Sequence, residues 1–435
     1  MPELEKKAKR IIGFALERLA RPGAYTVPQS IAEWKLIDRL TVELRLGNGQ
    51  TIFLSKTGST HFRCIVQTIY EANLYTGDAD YSDIWTACKK VFERLLSNKQ
   101  LPDGADELAR LVSDEINQEV RSYTYAIAIH GVELKNSETA VQLGSLSLAQ
   151  SPIPLMTSAG ISAERSDVVS AIESMKHYKW LIGPARGTQR VSEKRYRASA
   201  ELVCGMLAIT AAVMCSRGAE PFSIGPVLSP EQSHGRAAWL SWTDNGRGPI
   251  THGQFLGSQP FVIDETLSEQ LANSTIFRKA LEIVGSDTPT ELEDKICRSI
   301  YWFADAHRDQ NPVTKLVKYW SCVEVFFTAN EKDVTAAVAA GIATVLVFGD
   351  FSFVPTEEYF ALKKRAAKLY GYRSRAVHHG SREHVSENDV AELSLIAARL
   401  IISVLSFVER GYRTVTDVKE HVKRLDSVMQ QGKKE

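Results

Sequence analysis

No Cys-x-x-Cys pair and no Cys/His cluster occurs in this chain, whose six cysteines (Cys64, Cys88, Cys204, Cys215, Cys297 and Cys322) are scattered. That scatter excludes zinc-ligand spacing and argues against a disulfide frame. Free or buried thiols in a reducing cytosol are therefore expected, with no metal or cofactor implied. An excess of charge of either sign is missing too, since Lys+Arg and Asp+Glu both number 52. Net charge thus says nothing for or against a polyanionic partner, and any electrostatic site has to be local. No apolar run reaches the roughly 20 residues of a membrane span. The longest, "LVCGMLAITAAVMC" from Leu202 to Cys215, reads as a buried helix. The opening "MPELEKKAKR" carries charge where a signal peptide needs an apolar core. A cytoplasmic protein without membrane attachment is the expectation. There is no GxxxxGK[ST] phosphate loop, internal repeat or low-complexity tract. Nucleotidyl transfer lacks its pattern as well, because Asp78-Ala79-Asp80 lies too far from Gly58-Ser59.

What is present describes a globular chain: 435 residues, 44% apolar and 24% charged, have room for two or three domains. Residues 1–150 mix periods. "LTVELRLGNGQTIFL" alternates around a Gly-Asn-Gly turn as a hairpin does. "SDIWTACKKVFERLL" has helical spacing with Ser82 as N-cap. A second strand pair is expected in "YAIAIHGVEL" and "AVQLGSLSL". "AQSPIPLMTSAG" marks a boundary or a long connection. Residues 151–285 form a mixed region, open to being continuous with the first: "SDVVSAIESMKHYKWLIG" and the Leu202 run look helical, and short strands fall around Trp239 and Phe261. From 286 to 435 the pattern is helical. Leu292, Ile296, Ile300 and Phe303 mark one helix, Leu316, Trp320, Val323 and Phe327 a second, and "VTAAVAAGIATVLVFG" a central third. A fourth opens at Thr356 and stops at Gly380; a fifth is capped by Ser386 with Asp389 three residues on. The fold class expected is an α+β N-terminal region followed by an all-α C-terminal bundle.

Within the fourth helix, "GYRSRAVHHGS" (371–381) holds Arg373 and His378 with four residues between them. A fixed guanidinium beside an imidazole of ordinary pKa about 6.5 suits phosphodiester cleavage. The histidine exchanges protons with the ribose 2'-hydroxyl or the leaving 5'-oxygen, and the arginine stabilises charge on the phosphate. RNA supplies its own nucleophile, so no metal is needed. Five residues at about 100° each put the two side chains about 140° apart around a helix. They meet only if the helix loosens before Gly380 or if two copies pair, and pairing about a two-fold axis is the reading preferred. Spacing alone is weak: 28 arginines and 10 histidines give about 0.6 such pairs by chance. Arg247 and His252 form another, across Gly248-Pro249 in a turn. Between Tyr359 and Arg382 no acidic residue occurs, while Lys363, Lys364, Arg365, Lys368, Arg373, Arg375 and Arg382 all do. Such a run is either an electrostatic footprint for phosphates or a solvated helix face.

"YRSRAVHHG" near the end of a helix in a C-terminal bundle resembles the Arg-Ser-x-x-Val-His-Gly signature of HEPN ribonuclease domains, in particular the Apea-like branch of bacterial antiphage proteins. "YWFADAHRDQNPVTKLVKYWSCVEVFF" (301–327) is similar to that branch's first two helices, and the resemblance covers about 294–410. It implies that Arg373, Ser374 and His378 are catalytic. His379, where the pattern more often has glycine, is the alternate histidine. Glu324 is read either as orienting Arg373 across the bundle or as a helix-surface salt bridge; Arg375, Lys368, Lys364 and Arg382 would bind RNA. The activity implied is a metal-independent endoribonuclease leaving 2',3'-cyclic phosphate and 5'-hydroxyl ends. It would act as a homodimer on tRNA or single-stranded RNA, held at low basal activity until residues 1–285 sense a trigger such as a phage product. The alternative is a non-catalytic HEPN-type module for RNA or nucleotide binding and dimerisation.

Overall fold

The computed structural model describes every residue except 1–3, 27–41, 73, 76, 136–139, 228–237, 242–250, 255–258, 287, 329–332, 380–384 and 433–435. The chain forms two compact units, residues 1–125 with 184–196 and residues 126–183 with 197–435, so neither is continuous in sequence.

In the first unit, helices α1 (Lys6–Leu19), α2 (Lys56–Glu71), α3 (Tyr81–Ser97) and α4 (Ala105–Glu119) accompany strands β1 (Tyr25–Thr26), β2 (Glu43–Arg45) and β3 (Thr51–Leu54). The strands are antiparallel in the order β1-β3-β2. The β2–β3 hairpin turns where the sequence placed its Gly-Asn-Gly, with Gly49 at a φ of 81° that favours glycine. Ile12, Phe62, Ile65, Val91 and Phe92 are among the residues buried in the core. Helix α3 begins earlier than the sequence indicated. Asp80, not Ser82, is its N-cap, accepting from Asp83 N–H at 3.0 Å while the Asp83 carboxylate accepts from Asp80 N–H at 2.9 Å. This reciprocal box satisfies two otherwise orphaned donors.

A five-stranded sheet has the order β6-β7-β8-β4-β9, built from β4 (Arg121–His130), β6 (Val141–Leu143), β7 (Leu146–Ala149), β8 (Lys179–Gly187) and β9 (Gly225–Pro226). Helices α5 (Ile153–Ser158) and α6 (Ser166–Ser174) fall between β7 and β8 in sequence. Two expectations change here. The segments read as one strand pair are not direct neighbours, because β8 lies between β7 and β4. That strand comes from the tail of a stretch read as helix. Trp180, Leu181 and Ile182 are all buried, and a strand covered on both faces shows no alternation to distinguish it from a buried helix. Strand β5 (Val132–Leu134) pairs in parallel with β12 (Phe261–Ile263). Strands β10 (Ala238–Ser241) and β11 (Thr251–Gln254) pair antiparallel.

The C-terminal region is helical: α7 (Gln189–Met214) precedes β9, and α8 (Glu265–Asn273) and α9 (Thr275–Val284) follow β12. Then come α10 (Glu291–Arg308), α11 (Pro312–Glu324), α12 (Val334–Phe348), α13 (Tyr359–His379), α14 (Glu387–Glu409) and α15 (Val415–Gly432). Helix α14 is central, packed on α9, α10, α11 and α12, and α13 lies against α11 and α12. The Ser386–Asp389 capping box read from sequence is present on α14. Thr356, by contrast, starts a 3₁₀ turn (Thr356–Glu358) that leads into α13 at Tyr359. Helix α15, which carries only a narrow apolar face through Val415, Val418 and Val422, lies within the 286–435 region expected to be helical but was not delimited as a helix of its own; it closes over α12. Helices α7 and α14 are long and apolar enough to cross a membrane, and most of each apolar window is buried inside the protein.

Candidate active site

Helix α13 positions every described residue of the motif and remains helical through His379, so the turn does not loosen ahead of Gly380. Arg373 and His378 consequently project about 140° apart. Arg373 is partly buried, with Nη2 donating to Glu324 Oε2 at 3.1 Å and Nε 3.1 Å from Oε1. The second contact is an ion pair without hydrogen-bond alignment. Glu324 ends α11, and the α11–α13 packing brings the two residues together across 49 positions of sequence. Among the described residues Nη1 of Arg373 makes no hydrogen bond, which leaves one edge of the guanidinium for a ligand.

Tyr370 completes this inner group and was not singled out in the sequence. Its ring lies 5.6 Å from the Arg373 guanidinium and 5.1 Å, edge to face, from buried Trp320. Burial first, and then the Glu324 carboxylate, push its phenol pKa up, so it stays a neutral wall beside the ion pair. The available signal was periodicity: 320 and 324 on one helix, and 370 and 373 on another, are successive positions of one face.

His378 is exposed and without an ion pair or hydrogen bond among the described residues. Ser374 is half-buried one residue after Arg373. His379 is the last residue of α13, and its side chain lies outside the described residues, as do Arg382 and Arg247.

The basic run divides into two sets. Lys363 donates to Asp426 at 2.5 Å; Arg365 binds Glu392 at 2.5 Å and Asp389 at 2.7 Å; Arg373 binds Glu324. Lys363 and Arg365 are neutralised by the bundle and Arg373 is engaged along one edge only, which narrows the reading of the whole run as a phosphate footprint. The other set, Lys364, Lys368 and Arg375, is exposed and has no acidic partner among the described residues. At about 100° per residue these three and His378 fall within roughly 80° of one another, on the face opposite Arg373. Tyr372 braces two of them, its ring centroid 5.1 Å from the Arg375 guanidinium and 5.9 Å from the Lys368 ammonium.

No group of three or more His, Cys, Asp or Glu side chains is arranged to hold a metal ion among the described residues. Comparison with protein-family models, with curated proteins and with solved structures finds no match to this chain.

Proposed function

We propose that the C-terminal bundle is a HEPN-type endoribonuclease that cleaves RNA without a metal, using Arg373 and His378. The observation that carries this reading is the state of the two side chains. Arg373 is held by Glu324 with an edge left open, and His378 stands exposed among uncompensated cations. In the reaction the imidazole accepts the 2'-hydroxyl proton as the oxygen attacks phosphorus. The 5'-oxygen leaves with a proton from an imidazolium, and the ends are a 2',3'-cyclic phosphate and a 5'-hydroxyl. The guanidinium offsets the charge that accumulates on the non-bridging oxygens. Because one helix presents the two residues on opposite sides, the site is assembled from two copies of the chain, Arg373 from one and His378 from the other. An activity of this kind in the cytosol calls for a trigger acting through the N-terminal α+β region, such as a phage product.

Purified full-length protein incubated in EDTA with total tRNA and with single-stranded RNA is expected to release fragments ending in cyclic phosphate. Tight binding without cleavage, trigger candidates included, would instead favour a non-catalytic module. A second expectation concerns Lys364, Lys368 and Arg375. Replacing all three with Ala should reduce the slope of log K against log salt for single-stranded RNA by about 2, at about 0.7 for each phosphate no longer neutralised. An unchanged slope would remove this face from the RNA interface.

A further inference from the structure

The first unit carries a surface that the ribonuclease reading does not use. Helix α1 buries Ile12, Ala15, Leu16 and Leu19 in the core of that unit. At about 100° per residue, Lys7, Arg10, Phe14 and Arg18 fall within roughly 80° of one another on the opposite side. Lys6 flanks this strip and Arg21 follows just past the helix end, both exposed. None of these five cations has an acidic partner among the described residues. Lys9, turned away from the strip, does: it pairs with Asp106 of α4 at 3.0 Å. Two carboxylates are close in sequence. Glu5 precedes the helix as its N-cap residue, and Glu17 stands at the margin of the strip without pairing to these cations among the described residues. Lys6 and Lys7 lie four and three residues from Arg10, a spacing at which like charges repel, and a polyanion laid across them removes that cost.

Phe14, in the middle of the strip, is 52% exposed. Its ring is nonetheless held in place. The Arg18 guanidinium lies 5.0 Å from the ring centroid, and His61 of α2 meets the ring at 6.0 Å with the two planes 75° apart. A ring so fixed stacks on a flat partner without first giving up much rotational freedom. Charge and ring together select the occupant. An acidic peptide would satisfy the cations and leave the ring unused. A lipid surface takes a broad apolar face, and that of α1 is buried in the core. A double helix keeps its bases stacked inside. A single strand offers both a line of phosphates and open base faces.

We propose that this face of α1 binds single-stranded nucleic acid, with a base stacked on Phe14 and the neighbouring phosphates at Lys7, Arg10 and Arg18. Neither the ring nor the cations read a 2'-hydroxyl, so RNA and DNA strands are both ligands. The site goes beyond the ribonuclease reading, lies in the other unit of the chain and shares no residue with Arg373, Glu324, His378 or the cations of α13.

Fluorescence anisotropy of labelled oligothymidylate and oligouridylate is the measurement. It is made on full-length protein in which Lys364, Lys368 and Arg375 are replaced with Ala, so that the cations of α13 do not contribute. Oligothymidylate lacks the 2'-hydroxyl and is not cut, so the outcome does not depend on whether the C-terminal bundle is a nuclease. Saturable binding of both strands is expected, with similar affinities. In that background Phe14→Ala should weaken binding by about 5- to 100-fold, the usual worth of one stacked base. Phe14→Leu should weaken it as much, because bulk without a π-face does not stack, and Phe14→Tyr should retain it. Replacing Lys7 and Arg10 together with Ala should lower the slope of log K against log salt by about 1.4, at about 0.7 per phosphate. All three positions are exposed, and thermal melts establish that each variant is folded. No binding of either strand would overturn the proposal, as would unchanged affinity in Phe14→Ala or a duplex bound as tightly as the single strand. Polyglutamate that displaces the strand at equal charge concentration would assign the face to an acidic protein instead.

Discussion

His378→Ala is expected to lower the rate of RNA cleavage by about 10²- to 10⁴-fold, the usual contribution of a positioned general acid–base. Its melting temperature should stay unchanged, because the side chain is exposed and unpartnered among the described residues. Arg373→Gln should be as inactive. An amide at this position can still donate to Glu324, whereas Ala would strand a partly buried carboxylate at a cost of about 3 kcal/mol. The informative measurement is the mixture of the two inactive proteins. If each site takes Arg373 from one chain and His378 from the other, a mixed dimer retains one site with both groups intact. Random reassociation should then restore about one quarter of wild-type activity. A site within one chain would stay silent at every mixing ratio. A His378→Ala variant that cleaves like wild type, with His379→Ala silent, would move the acid–base role by one residue.

The second large effect is a loss of stability in acid through His307, which takes no part in the proposed reaction. This residue is 2% exposed on α10. Its Nε2 accepts from Ile224 N–H at 2.9 Å, so its proton resides on Nδ1, 3.1 Å from the Phe303 carbonyl oxygen. Both ring nitrogens are satisfied only in the neutral form. Burial first, and then the neighbouring Arg308 charge, lower the pKa from the ordinary 6.5 to about 3. The unfolded chain therefore takes up a proton near pH 6.5 that the folded chain refuses until about pH 3. Stability from this group is complete above pH 6.5 and falls with decreasing pH across that window. At pH 4.5 the loss is about 3 kcal/mol. Thermal melts from pH 7 to 4.5 should show a steep decline in wild type and a shallower one in His307→Gln. Parallel declines would mean that His307 does not carry the effect.

Several particulars were legible from residues alone. The β2–β3 hairpin, the Ser386 cap, the apolar centre of α12 and the order of the C-terminal helices follow from periods and caps that act within a few residues. So did the roughly 140° between Arg373 and His378, since helical geometry is local. Tyr370 and Tyr372 were missed because an aromatic on a helix reads as packing until its neighbours are known. The β8 strand was missed because burial on both faces erases the alternation that marks a strand. The discontinuous units also escape a linear reading: a chain that returns at 184–196 to a unit it left at 125 leaves no compositional trace of that return.

By itself the sequence determined the helical character of the C-terminal region, the mixed character of what precedes it, and the concentration of cations and histidines on one helix. Only the tertiary structure decided which of those cations are available. Lys363 and Arg365 find carboxylates on α15 and α14, Arg373 is held by Glu324 of α11 with its Nη1 edge left open, and Lys364, Lys368 and Arg375 find no carboxylate among the described residues. The physical reason is range. Periodicity and capping are set by residues three or four apart, whereas the partner of a charge 24 to 63 positions away is set by how helices pack.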